Sequence, residues 1–467
     1  YKMNSNEGPC LCNADFNMDG LEDIFIGGAK GQSAILFFQN NDGSFSIENE
    51  IFELDKNSED VDCLVGDYNG DGLLDLFVAS GGSEFSIFSP ELMDRVYFNL
   101  GEGEFKKSIE SLSTIKKFVS TSTISANDFD NDGDLDVFLG TRLNSSSYGT
   151  TTKSYMLEND GKGIFTDITQ NIASGLLKMG MVTDSEFVDI NNDNKKELVV
   201  VGEWMPVKVY EFSNDVFVDI SDDLGLDKSN GLYNTLKIVD VNNDSFKDII
   251  LGNYGLNSSF EASIDKPLTL LVNDFDNNRK TEQIIGMYYG NDLYPIVQLK
   301  DLWMQIPILK KKYLKFENYK NKKLLELFSK EIIDKTEKKY VYNLASCILI
   351  NDLGNQFTLE YLPFEAQLSP IYSILSENLN NDDYDDIIIG GNITTVKPEF
   401  GINNGSFSLL LLGMKDSKFK SLNSKESGLF VKGEVRDIIK MKVNKRDNYI
   451  FAVNNSKLKI FKNENDK

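Results

Sequence analysis

Asp128-Phe-Asp130-Asn-Asp132-Gly133-Asp134-Leu-Asp136 runs straight into the apolar stretch Val137-Phe-Leu-Gly140, and the chain repeats this pattern seven times. Asp15, Asn17, Asp19 and Asp23 precede IFIGG; Asp67, Asn69, Asp71 and Asp75 precede LFVAS. The later copies are Asp189, Asn191, Asp193 and Glu197; Asp240, Asn242, Asp244 and Asp248; Asp274, Asp276, Asn278 and Glu282; and Asn378, Asn380, Asp382 and Asp386. Oxygen-bearing side chains therefore stand at positions 1, 3, 5 and 9, and a strand-like run begins at position 10. A calcium ion takes six to eight oxygens at about 2.3–2.6 Å. Alternating side chains reach one ion only if the backbone curls, and glycine at position 6 permits the curl because it accepts positive φ. An EF-hand is excluded, since its last ligand falls at position 12, between helices.

The copies differ. The first three are complete. The fourth has Asn194 and the fifth Ser245 at position 6; the sixth has Arg279 there, awkward for the turn. The seventh offers two carboxylates among four ligands and should bind most weakly. Asp, Asn and Gly are ordinary turn residues without any metal, but such turns do not account for seven copies in one register. Four to seven calcium ions are expected.

Loop starts are separated by 52, 61, 61, 51, 34 and 104 residues. Periods of this size with several short strands each point to a propeller or solenoid. One strand precedes each loop and one follows it. A third run comes next, as in AILFF (34–38), RVYFN (95–99) and VKVYEF (207–212), then a polar corner ending in Phe and a fourth strand. Four strands make one propeller blade, and the recurrent Phe should fill the wedge between blades. The expected fold is all-β, a single seven-bladed propeller over 1–467, with eight blades the runner-up. Loops 5 and 6 lie too close for a full blade and should share or compress one. The segment 435–461 reads as three metal-free strands, and the ring should close by mixing strands from the two chain ends. Residues 300–339 hold 12 Lys against 6 acids, with Leu324, Leu325, Leu327, Phe328, Ile332 and Ile333 at helical spacing. They read as a helical insertion over about 300–343, whose lysines serve either as a solvated face or as contacts to an acidic surface.

The net charge of −25 follows from 73 acids and 48 bases. Seven divalent ions would bring it to about −11, so metal accounts for much of the acidity. An acidic chain does not bind nucleic acid or an anionic membrane by bulk charge. The absence of histidine excludes Ser-His-Asp, Cys-His and His-zinc chemistry. Cys10 and Cys12 share a strand face, while Cys63 should face the other way in its own blade. The cysteines therefore read as small core residues rather than a disulfide framework. No apolar run is long enough to span a membrane as a helix. The chain starts at Tyr1, almost on a strand, and reads as part of a longer polypeptide.

These motifs resemble the FG-GAP/VCBS repeat superfamily, which includes the integrin α propeller. Residues 6–32, 369–401 and 427–438 are similar to the C-terminal propeller of large bacterial VCBS-repeat proteins related to cartilage acidic protein, often found with an ASPIC/UnbV module. The resemblance covers nearly the whole chain. It implies a calcium-stabilised propeller, secreted or on the bacterial outer surface, most of whose relatives have no assigned biochemical role.

Within a blade, loops joining strands 2 and 3 lie opposite the metal loops, and here they are long and varied: 27–33, 79–94, 140–153, 202–206, 253–267 and 390–401. Long loops on a rigid scaffold are where binding resides. Phe85, Tyr148, Trp204, Tyr254 and Phe400 stand in them as flat apolar faces for a protein or glycan partner, or else pack beneath their own loops. The alternatives are a polysaccharide-active hydrolase or lyase, for which Glu203 and Glu84 are the loop carboxylates to consider, and a purely structural subunit of an outer-surface complex.

Overall fold

The computed structural model describes residues 7–48, 50–144 and 147–464. Its framework is a ring of seven antiparallel sheets. Blade 3 shows the plan. Ser120–Asn127 pairs with Asp136–Leu143, which pairs with Tyr155–Asn159, which pairs with Phe165–Asp167. Each metal loop is the hairpin between the first two strands, and position 9 is the first residue of the second strand.

The innermost strands are Leu11–Ala14, Asp60–Gly66, Ser120–Asn127, Met181–Val188, Thr235–Val239, Ile371–Glu377 and Val435–Val443. Each touches the next around the ring, and the last touches the first. Seven inner strands close the circle, so the propeller has seven blades. An eighth sheet exists but contributes no inner strand.

That eighth sheet corrects two expectations. Asp292–Pro295, Glu282–Tyr289, Leu268–Asn273 and Glu337–Val341 form a four-stranded sheet with its own core. It interrupts blade 5 between the strands Asp248–Gly252 and Cys347–Asn351. The insertion is thus the whole of 253–346 rather than a helical piece of about 300–343. Loop 6 belongs to it and shares no blade with loop 5. The helices are present but short: Leu299–Gln305, Leu309–Lys312 and Lys330–Lys335. Helical spacing and lysine content mark out that part alone, whereas the flanking strands alternate like propeller strands.

Ring closure also differs from expectation. The last blade is three-stranded, Val435–Val443, Arg446–Val453 and Lys459–Lys462, and no N-terminal strand among the described residues joins it. The start at Tyr1 lies outside the described residues. Closure is by packing and hydrogen bonds between blades. Leu11, Ile24, Met441, Ile450 and Ala452 share one buried cluster. The Leu11 N–H donates to Asp437 at 2.9 Å, and Gln39 Nε2 donates to the Lys442 carbonyl at 2.9 Å.

The cysteine expectation is overturned as well. Cys12 and Cys63 form a disulfide with Cα atoms 6.2 Å apart. They belong to the inner strands of blades 1 and 2. A side chain facing forward in one blade meets one facing backward in the next, so opposite facing is the condition for a bond between blades. Cys10 and Cys347 are free and buried.

The recurrent Phe does fill the wedge. Phe105 of blade 2 meets Phe16 of loop 1 at 5.6 Å between ring centroids, Phe165 meets Tyr68 of loop 2 at 5.9 Å, and Phe217 meets Phe129 of loop 3 at 5.3 Å. Each pair joins the fourth strand of one blade to position 2 of the preceding metal loop. Phe165→Ala should cost about 3–5 kcal/mol, the range for emptying a buried aromatic site. A shift in the denaturant midpoint relative to the parent measures it.

Candidate metal centres and the opposite face

Position 9 is buried in every loop. Asp23, Asp75, Asp248 and Asp386 are fully buried, and Asp136, Glu197 and Glu282 nearly so. One carboxylate oxygen accepts the N–H of position 2, from Phe16 (3.0 Å) in loop 1 to Leu379 (3.0 Å) in loop 7. In five loops the other oxygen accepts an N–H of the third strand, donated by Gln39, Asn99, Asn159, Asn351 or Gly413. Position 9 therefore joins its loop to the sheet.

Position 2 faces the neighbouring blade. Its carbonyl accepts from an Asn side chain of the next blade: Asn99 to Phe16, Asn159 to Tyr68 and Asn351 to Ile190, at 2.7–2.9 Å. Asn463 does the same for Leu379 at 2.9 Å. A loop that moved would disturb two blades.

The first residue sets the curl. Asp15, Asp67, Asp128, Asp189, Asp240 and Asp274 each accept the N–H of position 6. Position 6 is left-handed in these six loops, including Asn194 (φ 70°), Ser245 (φ 75°) and Arg279 (φ 68°). Arg279 thus adopts the turn that glycine would favour. A second left-handed position went unread in the sequence: position 4 is Met18, Gly70, Asn131, Asn192, Asn243, Asn277 or Asn381, all at positive φ. The prevalence of Asn there is the signal. Loop 7 departs from the rest. Asn378 donates to the Asp382 carbonyl instead of accepting.

Two loops bring three carboxylates together. Asp128, Asp130 and Asp136 offer oxygens within 4.8 Å of one another, as do Asp274, Asp276 and Glu282. Four loops hold a buried side-chain oxygen with no hydrogen-bond donor: Asp134 Oδ1, Glu197 Oε1, Asp276 Oδ1 and Asn378 Oδ1. Oxygen-only donors and orphaned oxygens facing like charges fit a hard cation.

Burial pushes the position 9 acids upward against the hydrogen bonds that oppose it. Asp136 rises to about 8, Glu197 to about 7, and Asp23, Asp75 and Asp248 to about 6; Glu282 and Asp386 also rise.

The inner ring holds a feature not foreseen. Five residues before each loop of the ring stand Cys10, Asp62, Thr123, Asp184, Thr235 and Ser373, and Asp437 occupies the matching place in blade 7. All seven line one central channel of about 520 Å³. Three of them link blades: Asp62 accepts the Ile124 N–H at 2.7 Å, Asp184 the Leu236 N–H at 2.8 Å, and Asp437 that of Leu11. The fixed offset from each loop is the sequence signal.

Of the two alternatives for the aromatics of the opposite face, the structure shows packing rather than an open row. Trp204, Tyr254 and Phe85 are buried. Trp204 and Tyr254, with Tyr148 and Phe400 packed against them, belong to the cluster of Leu268, Leu270 and Val341 that seats the inserted sheet on blade 4. Trp204 Nε1 donates to Tyr148 Oη (2.8 Å), and Tyr148 donates to Glu203 (3.0 Å). Phe85 lies under Lys30, 4.6 Å from its ring centroid. These aromatics attach the insertion and loops to the disc, because a sheet grafted on one blade must cover its own apolar face. Glu203 is held by Arg142 at 3.1 Å, and Glu84 pairs with Lys30 at 3.6 Å, so the two do not form an acid–base pair.

Open space lies beside the insertion. A groove of about 810 Å³ runs between Asn144, Ser147 and Thr150–Lys153 of blade 3 and Arg279–Gln283 of the inserted sheet. A smaller one, about 210 Å³, lies between Tyr148, Asp301, Lys397 and Phe400.

A ring of seven antiparallel sheets, six of them with an acidic nine-residue loop between the first two strands, defines a β-propeller. Residues 15–78, 67–139 and 128–200 match the FG-GAP-like repeat, so the chain carries three such repeats in consecutive blades. No curated protein matches the chain. Among solved structures, the biofilm matrix protein Bap1 of V. cholerae is 10% identical over 98% of this chain and 88% of its own, with a TM-score of 0.39. The extracellular domain of the putative hybrid two component system BT3049 of B. thetaiotaomicron is 10% identical over 99% of this chain and 39% of its own (TM-score 0.42). The Dos1 propeller is 8% identical over 99% and 94% (TM-score 0.43). Among the described residues no helix is long and apolar enough to cross a membrane.

The raised acids predict a pH response of the metal-free protein. A carboxyl that keeps its proton in the fold but loses it in the unfolded chain lowers stability as pH rises between the two values. Melting temperature in chelator should therefore fall from about pH 4 to about pH 8, the window ending at Asp136 together with the buried Asp62 and Glu59. Asp136→Asn should flatten the upper part of that fall.

Proposed function

We propose that this chain is a calcium-stabilised binding module of the extracellular or bacterial outer-membrane surface, which recognises protein or glycan on the face opposite its metal rim. The burial of a carboxylate at position 9 of all seven loops carries the reading. Such a group needs either a proton or a cation, and the remaining ligand positions supply more oxygens beside it. Positions 1, 3, 5 and 9 of each loop would hold the ion, with Asp134 added in loop 3. A bound ion would neutralise the cluster and tie together the hairpin, the third strand and the next blade.

Two observations support a location outside the cytosol. The Cys12–Cys63 bond belongs to an oxidising compartment. Extracellular calcium modules work with dissociation constants of about 10⁻⁴–10⁻³ M, within reach of loops as exposed as these.

Recognition falls to the groove between blade 3 and the insertion, one wall of which is Arg279–Glu282 of the sixth metal loop, carried away from the ring by the inserted sheet. Its hydroxyls (Ser147, Thr150, Thr151, Thr152) and cations (Lys153, Arg279, Lys280) suit the hydroxyl and acid groups of a glycan or an acidic protein loop. Glu203 has no place in a catalytic scheme here, being buried and ion-paired.

Chelation should lower the melting temperature sharply, and calcium should restore it. An unchanged melting curve in chelator would remove the metal from the account. For the groove, Thr150→Trp should fill it and lower capture of the strongest hit in a glycan and protein panel at least tenfold, about 1.4 kcal/mol. Equal capture by the variant would move recognition elsewhere.

A further inference from the structure

The inserted sheet carries a surface outside the metal loops and, except for Met304, which also lines the groove, outside the groove. Leu302, Ile306, Leu309 and Tyr313, spaced 4, 3 and 4 apart, are buried in the insertion's core. By amphipathic logic the residues between and just after them should be polar. Instead Met304 is 73% exposed, Ile308 56%, Leu314 69% and Phe316 64%. Interleaved with them are the exposed Lys310, Lys311, Lys312 and Lys315. No acid occurs from Leu302 to Phe316, although the chain as a whole carries −25.

The lysines have little else to do. Lys312 donates to the Leu327 carbonyl at 2.8 Å, and Lys310 lies 5.9 Å from the centroid of Trp303. Among the described residues, Lys310, Lys311 and Lys315 make no ion pair with a carboxylate. The neighbouring acids are engaged, Asp301 with Lys397 (3.3 Å) and Glu317 with Lys320 (3.5 Å). Aromatic surface continues beyond Phe316. Its ring lies 6.4 Å from that of Tyr319, which lines a shallow cleft with Tyr289, Tyr294, Lys320 and Lys322.

We propose that this face, centred on Ile308–Phe316, docks onto an anionic lipid bilayer surface. Exposed aliphatic and aromatic tips gain from entering the acyl boundary, while lysines between them meet the headgroups. A soluble polyanion would reward the lysines but not Ile308, Leu314 and Phe316. The negative charge elsewhere repels the same bilayer, so the contact has one orientation, with the inserted sheet toward the lipid.

Flotation of the whole chain with vesicles tests this, at one fixed calcium concentration, using phosphatidylcholine with and without phosphatidylglycerol. The parent should float with the anionic vesicles and stay behind with the neutral ones. Lys310→Glu/Lys311→Glu/Lys315→Glu should lower partitioning roughly 100-fold, taking about fivefold per lysine. Ile308→Ser/Leu314→Ser/Phe316→Ser should also abolish flotation. Both sets lie at exposed positions, and an unchanged melting curve confirms folding. A parent that floats with neither vesicle overturns the proposal. So does an apolar triple variant that floats like the parent. Binding of soluble polygalacturonate in place of vesicles would overturn it in favour of an acidic polysaccharide.

Discussion

Everything in the disc depends on one desolvated carboxylate repeated around the ring. Position 9 stands where a strand begins, so its side chain is drawn into the sheet while its charge still faces the other acids of the loop. The hydrogen bonds it accepts come from two directions, its own loop and the third strand. They orient the group but do not offset the loss of water, and its protonation equilibrium moves upward accordingly. A divalent ion is the chemical answer to that arrangement. The loops are therefore joints of the fold rather than ornaments at its edge.

The joints are coupled through position 2. One residue gives its N–H to position 9, its carbonyl to the next blade's Asn, and its ring or aliphatic chain to the next blade's Phe. A ring built this way distributes each local perturbation to a neighbour. The inner strands add a second set of ties through Asp62, Asp184 and Asp437, and blades 1 and 2 add a covalent one. The loops and the channel residues are both engaged in hydrogen bonds that join strands and blades. The inserted sheet reshapes the surface: it covers the aromatics of blade 4, opens a polar groove against blade 3, and carries a cationic, apolar-tipped segment outward.

The sequence by itself determined the loops, the strand that follows each and the wedge-filling Phe, and it left the blade count at seven or eight. Those features are local: a nine-residue motif and a period-two run are legible wherever they occur, because their physics involves near neighbours in the chain. Even the different hydrogen bonding of loop 7 follows from Asn378 standing where the other loops have Asp. Tertiary structure decided what depends on neighbours in space. Whether Cys12 meets Cys63 depends on two blades facing each other. Whether Trp204 and Tyr148 are open or covered depends on where a sheet that begins at Leu268 comes to rest. The offset ring of Cys10, Asp62 and their equivalents becomes a channel only when seven strands stand in a circle. Loop 6 looks like a blade loop in sequence because the cation's demand on nine residues is the same in either place, and only the pairing of its strands with Glu337–Val341 removes it from the ring.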